Sequence, residues 1–233
     1  MARQLMKYFA TSQGAWALSV NEVCRLDAAD LVANQFPGVA SYFLVTRKNV
    51  SGCDPDVNGN RDFGSMVFMW GTPTIYNTSI SLTQGPGNAC PASSSSECRA
   101  GYCLLNSTFA GYAAACTGHL YPSTNSDSSY AATQATQYVW SVNATYGTYA
   151  RWIAGDFNLT PGYIPSGFPA QFFRSPYANT FKADSNPALL TKQIDYVWND
   201  FAHSSSTAVL APYCTSTATQ ASDHCYVFAQ FNN

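Results

Sequence analysis

Short apolar runs, cut by Gly-, Pro- and Ser-rich stretches, set the rhythm of this chain. Ala15 to Val20 reads as a short buried strand that ends in Asn21-Glu22-Val23-Cys24. Tyr42 to Thr46, Phe63 to Trp70 and about 74–82 read as further strands. Tyr102 to Asn106 and Tyr112 to His119 flank a short Ser-Thr-Phe-Ala-Gly turn, which predicts an antiparallel pair. Arg151 to Asn158, Ile194 to Trp198 and Cys225 to Phe231 complete the strands, the last alternating Val227, Ala229 and Phe231. Helical spacing occurs three times. It joins Leu5, Met6 and Phe9 within 2–12, and Ala132, Ala135, Val139 and Val142 within 130–146. Between them, Asp27 is placed to cap a helix with Ala29, Leu31, Val32 and Phe36 inward, stopped by Pro37-Gly38.

The connections are turn-rich. Residues 84–97 and 123–129 read as loops, and 159–191 as a long irregular segment rich in Pro, Phe and Tyr. Residues 51–62 resemble a calcium loop only superficially. The EF-hand spacing and its terminal Glu are absent, so a solvated loop is expected. Helices alternate with strands, yet several strands are adjacent and hairpin-like, which excludes a purely parallel doubly wound sheet. The pattern fits an α/β (α+β) arrangement of two mixed β-sheets packed together with helices outside. At 233 residues, with no internal repeat and no separating linker, one domain over 1–233 is expected.

Composition sharpens this picture. Only 10% of residues are charged, against a usual quarter or so, and Ser and Thr supply most of the polarity. The formal net charge of −2 excludes a global positive field that would draw in a polyanion. Eight cysteines in so uncharged a chain suggest disulfides and an oxidising compartment, and no Cys-x-x-Cys pair favours zinc. Cys90 and Cys98 bracket a Pro/Ser loop, Cys103 and Cys116 fall on apolar runs that could be neighbouring strands, and Cys214 and Cys225 enclose a Ser/Thr-rich loop. That leaves Cys24 with Cys53. Five Asn-x-Ser/Thr sequons occur, at Asn49, Asn77, Asn106, Asn143 and Asn158; about three are expected by chance, so the motif by itself decides little. No apolar run approaches the length of a membrane span, and Met1 leads almost directly into a helix-like segment without a signal peptide.

Chemistry concentrates at strand ends. In Gly155-Asp156-Phe157-Asn158 an acid and an amide stand two positions apart, so in an extended strand they would share a face. Taken alone, these residues read as a polar strand terminus with an Asx-type turn leading to Pro161. The same placement recurs, however. Glu22 ends the first buried strand, His119 ends another, Asp195 lies within Gln-Ile-Asp-Tyr-Val, and Ser222-Asp223-His224 opens the last. Five such positions at strand ends in one low-charge chain stand out together.

The ordered set Asn-Glu-Val, Gly-His-Leu, Gly-Asp-Phe-Asn, Ile-Asp-Tyr-Val and Ser-Asp-His resembles the endonuclease/exonuclease/phosphatase superfamily, the fold of deoxyribonuclease I. The stretches beginning at Arg61 and at Glu97 resemble its intervening strands, and the likeness spans about residues 4 to 231. It implies a four-layer sandwich with the site at the sheets' shared edge, and phosphate-ester hydrolysis with a divalent cation. By position, Glu22 would bind Mg²⁺ (or Mn²⁺ or Ca²⁺) and Asp223 would support the metal or its waters. His224 would contact the scissile phosphate or act as base, oriented by Asp195. Asp156 would handle a proton, Asn158 would hold a phosphate oxygen, and His119 and Arg99 would face the developing negative charge.

The resemblance also marks two departures. The family's first strand, which carries an Asn at the metal site, has no room between Met1 and Glu22 and is expected to be missing. Gly118 stands where the family usually has Thr, which is expected to loosen the backbone before His119. The leading expectation is a secreted, monomeric, Mg²⁺-dependent phosphodiester hydrolase of the deoxyribonuclease I kind, with DNA as substrate. The alternatives are a phospholipid phosphodiesterase (sphingomyelinase-like), for which Tyr163, Phe168, Phe172, Phe173, Tyr177 and Phe181 could touch a membrane, a phosphatase, and a catalytically impaired binding protein.

Overall fold

A computed structural model describes residues 15–71, 79–106, 113–122, 128–165, 173–174, 181–182, 190–192, 194–200, 205–210 and 227–232. Two sheets form its centre. In the smaller, strands β1 (Ala17–Cys24) and β2 (Ala40–Arg47) both pair antiparallel with β3 (Phe63–Met69), in the order β1-β3-β2. The larger sheet contains β4 (Ser79–Ser81), β5 (Ala100–Asn106), β6 (Ala113–His119), β7 (Ala150–Asp156), β8 (Phe173–Arg174) and β11 (Asp195–Asn199), ordered β4-β5-β6-β7-β11-β8. It is mixed, because β6 and β7 run parallel while the other pairs are antiparallel. Strands β9 (Phe181–Lys182) and β10 (Leu190–Lys192) form one hairpin, and β12 (Ser205–Leu210) and β13 (Val227–Asn232) another.

Strand alternation builds four layers. On β3, Val67 and Met69 point between the sheets, where they meet Tyr102, Leu104, Ala115, Trp152, Ala154 and Val197. Met66 and Phe68 point the other way and pack with Ala28 and Leu31 of a helical segment and with Phe36 just after it. That segment is α1 (Arg25–Asp30) followed by a π-helical turn over Leu31–Gln35. On the far side, Cys103, Cys116, Ile153 and Trp198 pack with Ala135, Tyr138, Val139 and Val142 of α2 (Ser128–Tyr146). Period-2 patterning thus sorts each strand's residues between a helix and the opposing sheet. The architecture is the α/β sandwich of two packed sheets flanked by helices.

Several local expectations shift. Cys24, not Asp27, is the N-cap of α1; Asp27 sits in the first turn, where a negative charge suits the helix dipole. Ala28 is buried in place of the exposed Ala29, and the helix starts three residues earlier than a cap at Asp27 would place it. Ser128 and Ser129 belong to α2 rather than to a loop, and Ala131 lies deeper than Ala132. The Ser-rich β12 went unpredicted because its sequence shows no apolar alternation. Three disulfides join Cys24 to Cys53, Cys90 to Cys98 and Cys103 to Cys116, the last between register partners on β5 and β6. The helix expected at 2–12, residues 72–78 of the expected 74–82 strand and the Cys214–Cys225 pair lie outside the described residues.

Candidate active site

Register brings the predicted acids and imidazole into one row. His119, the last residue of β6, is the partner of Asp156, the last residue of β7, and Asp156 is in turn the partner of Asp195 on β11. All three lie on the face of the larger sheet that looks toward the smaller one, since Thr117 and Ala154, two residues earlier, face that interior. His119 Nε2 lies 3.5 Å from Asp156 Oδ2, and both side chains are buried.

The smaller sheet supplies the opposite wall. Ser19 of β1 meets Thr117 of β6, Oγ to Oγ1, at 2.5 Å, which seats β1 across the inter-sheet gap. The β1–β3 register then slips between Val20 and Val23. At this bulge Glu22 adopts φ of 56°, a left-handed conformation uncommon for a residue with a side chain. The bulge turns Glu22 toward the row, with Oε1 3.8 Å from His119 Nε2 and the side chain half exposed. Asn21 turns inward. Oriented to satisfy its neighbours, its carboxamide donates to Ser65 Oγ at 2.9 Å and Gly118 O at 3.3 Å, and accepts from the Asp156 backbone N–H at 2.8 Å. One side chain therefore ties β1 to β3, β6 and β7.

Glu97 and Arg99 close the site from the segment leading into β5. Glu97 Oε1 is 3.9 Å from His119 Nδ1, and Glu97 Oε2 accepts from Arg99 Nη2 at 2.8 Å. Arg99 is 4% exposed, and its Nε and Nη1 are buried without a hydrogen-bond partner among the described residues. Burial pushes the guanidinium below its ordinary pKa, while the charges of Glu97, Asp156 and Glu22 oppose that shift. Asn21 and Glu97 went unrecognised as site residues. The bulge and the approach of Glu97 to His119 are long-range consequences of packing.

The Gly155–Asn158 stretch is a turn and a site wall at once. Strand β7 stops at Asp156, so Asn158 does not share its face by strand alternation. Asp156 Oδ1 instead accepts from Asn158 N at 2.7 Å in an Asx turn, with Asn158 at φ of 52°, and Asn158 Nδ2 donates to Leu120 O at 3.0 Å. Gly155 is required by close approach: a Cβ there would lie 1.9 Å from Gly118 O. Gly118 does not loosen the backbone. The ring of Tyr138, on α2, fills the space beside it, where a Cβ would lie 2.7 Å from the ring. Asp223 and His224 lie outside the described residues, as do Phe168, Phe172 and Tyr177; Tyr163 is exposed.

No family model matches the sequence, and no curated protein does. Solved structures do match. A truncated TDP2 from Caenorhabditis elegans is 14% identical with a TM-score of 0.68, covering 100% of this chain and 90% of that one. A D. rerio TDP2 complexed with a single-strand DNA product is 15% identical with a TM-score of 0.63, covering 100% and 92%. An endonuclease/exonuclease/phosphatase from Bacteroides vulgatus is 11% identical with a TM-score of 0.65, covering 99% and 90%. The layers, the strand ends that carry the polar row and these similarities agree: the chain has the fold of the endonuclease/exonuclease/phosphatase superfamily.

Proposed function

We propose that this chain, acting as one domain over 1–233, is a divalent-metal-assisted phosphodiester hydrolase, with DNA as its substrate. The observation that carries the reading is the convergence of Glu22, His119 and Asp156 on one end of the inter-sheet gap, beside the two unpartnered donors of buried Arg99. An anion seated there would satisfy Arg99 Nε and Nη1. Asp156 takes the proton of the attacking water as its oxygen bonds to phosphorus and the ester oxygen leaves. His119 and Arg99 direct N–H groups at the phosphoryl oxygens, where negative charge builds up. Asn158 adds a polar contact to the same oxygens. Asn21 holds the Asp156 backbone, and Glu97 steadies His119 and Arg99. Asp195, beside Asp156 in register, orients His224 against the phosphate.

The described residues contain no cluster of three or more His, Cys, Asp or Glu side chains built to enclose a metal. The carboxylates of Glu22 and Asp223 would suit a hard ion such as Mg²⁺, which keeps most of its waters and needs only one or two carboxylates. Glu22, half exposed and turned toward His119 at the bulge, would hold it, with Asp223 supporting. When bound, such an ion neutralises phosphate charge. The D. rerio TDP2 in complex with a DNA product favours DNA as the substrate. The three disulfides support an extracellular location, and no helix among the described residues is long and apolar enough to cross a membrane. The test is plasmid cleavage by the purified chain with Mg²⁺, with and without a chelator, alongside phosphocholine release from sphingomyelin vesicles. Chelator-sensitive DNA cleavage without phosphocholine release is expected. Phosphocholine release alone would overturn the DNA assignment, and inactivity on both would overturn the hydrolase.

A further inference from the structure

The structure separates the sequons that the sequence could not. N-glycosylation joins the Asn Nδ2 to a sugar, so the side chain must be reachable and the glycan must have room outside the fold. Asn106 is 1% exposed on β5, packed against Gly71. The Asn143 carboxamide oxygen accepts from Arg151 Nη1, in a cluster with Asp200. Asn158 Nδ2 is committed to Leu120 O inside the candidate site. Asn77 lies outside the described residues.

Asn49 differs from all three. It is exposed, stands in a turn just beyond β2 with φ of 52°, and its side chain makes no hydrogen bond within the described residues. The backbone around it is held, since Lys48 N donates to Ser93 O at 3.0 Å and Val50 N to Arg61 O at 2.9 Å. Ser51, the sequon hydroxyl, is exposed as well. The turn lies between β2 and the Cys24–Cys53 bridge, so the chain that carries it is one that matures where disulfides form. A glycan would also add polar surface to a chain with only 10% charged residues.

We infer that Asn49 is an N-glycosylation site, used when the chain matures in a eukaryotic secretory pathway. In the transfer, Asn49 Nδ2 bonds to C1 of a polyprenyl-pyrophosphate-linked oligosaccharide, the C1–O bond to pyrophosphate breaks, and the amide loses one proton. The test is secretion of the full chain behind a leader from a eukaryotic host, in an Asn77→Gln background. Peptide:N-glycosidase treatment in heavy-oxygen water then marks each formerly glycosylated Asn as labelled Asp for peptide mass spectrometry. Label at Asn49 and none at Asn106, Asn143 or Asn158 is expected, with the gel shift lost in both Asn49→Gln and Ser51→Ala. An unlabelled Asn49, in secreted or cell-retained chain, would overturn the assignment. So would a secreted, disulfide-bonded chain labelled at Asn106 or Asn158.

Discussion

His119 Nε2 stands 3.5 Å from Asp156 Oδ2, and the two residues are register partners at the ends of the parallel strands β6 and β7. Parallel register fixes this meeting, since both strands finish at the same level. If the pair moves protons and stabilises charge as proposed, Asp156→Asn or His119→Ala lowers the hydrolysis rate about 10²–10⁴-fold. The double variant should lose less than the product of the two, because the residues act as a unit. Single-turnover rates, with circular dichroism to confirm folding, check both statements.

Asn21 makes three contacts with one carboxamide, to Ser65, Gly118 and the Asp156 N–H. Asn21→Ala leaves those buried groups unsatisfied. A loss of about 1–3 kcal/mol is expected for each group stranded in this way, read as a lower urea midpoint. The hydrolysis rate should fall further than the folded fraction does, because Asp156 loses its anchor.

Removing the metal should abolish hydrolysis, and restoring Mg²⁺ should recover it. Glu22→Gln keeps the shape of the side chain but not its charge. The Mg²⁺ concentration for half-maximal rate should rise by about tenfold or more, since even residues behind the ligands change metal affinity on that scale. An Mg²⁺ titration identical to that of the unaltered chain would remove Glu22 from the metal site.

Tyr138 packs on both Gly101 and Gly118, with added Cβ atoms meeting its ring at 2.4 and 2.7 Å. Gly118→Thr should therefore cost about 1–3 kcal/mol by overpacking, despite restoring the residue type usual in the family. The Tyr138 hydroxyl is buried without a hydrogen-bond partner among the described residues. Tyr138→Phe should then be neutral or stabilising by up to about 1 kcal/mol. Chemical denaturation of the two single variants decides both.

Alkaline pH should unfold the chain through its buried tyrosines. Burial, reinforced by Tyr42 and Tyr146, raises the Tyr102 hydroxyl to about 12, and burial pushes Tyr138 well above the ordinary value. An unfolded chain releases these protons near pH 10, so between about pH 10 and 12 the native state binds more of them. The Tyr102 contribution is complete below about pH 10 and is lost as pH rises to about 12. Urea midpoints across that window should fall, and Tyr102→Phe should make the fall shallower.

Much of this protein was legible in its residue order. The apolar runs located β1 to β7 and β11, and the spacing of Ala135, Val139 and Val142 located α2, because periods of 2 and 3.6 are local properties; the short β8 to β10 fell in a stretch read as irregular. Glu22, His119, Asp156 and Asp195 stood out as strand-end polar residues in a chain with few charges, and their order matched the fold. What sequence could not decide is what depends on partners distant in the chain. Whether His119 meets Asp156 rests on the β6–β7 register, and whether Glu22 reaches them rests on a slip in β1 against β3. Asn21 and Glu97 became site residues only through contacts with segments far along the chain. Gly118 looked like a loosened position until α2 placed a tyrosine beside it. Local patterning determined which residues face which layer; only the packed sheets determined which of them touch, since register and bulges are settled by the whole core.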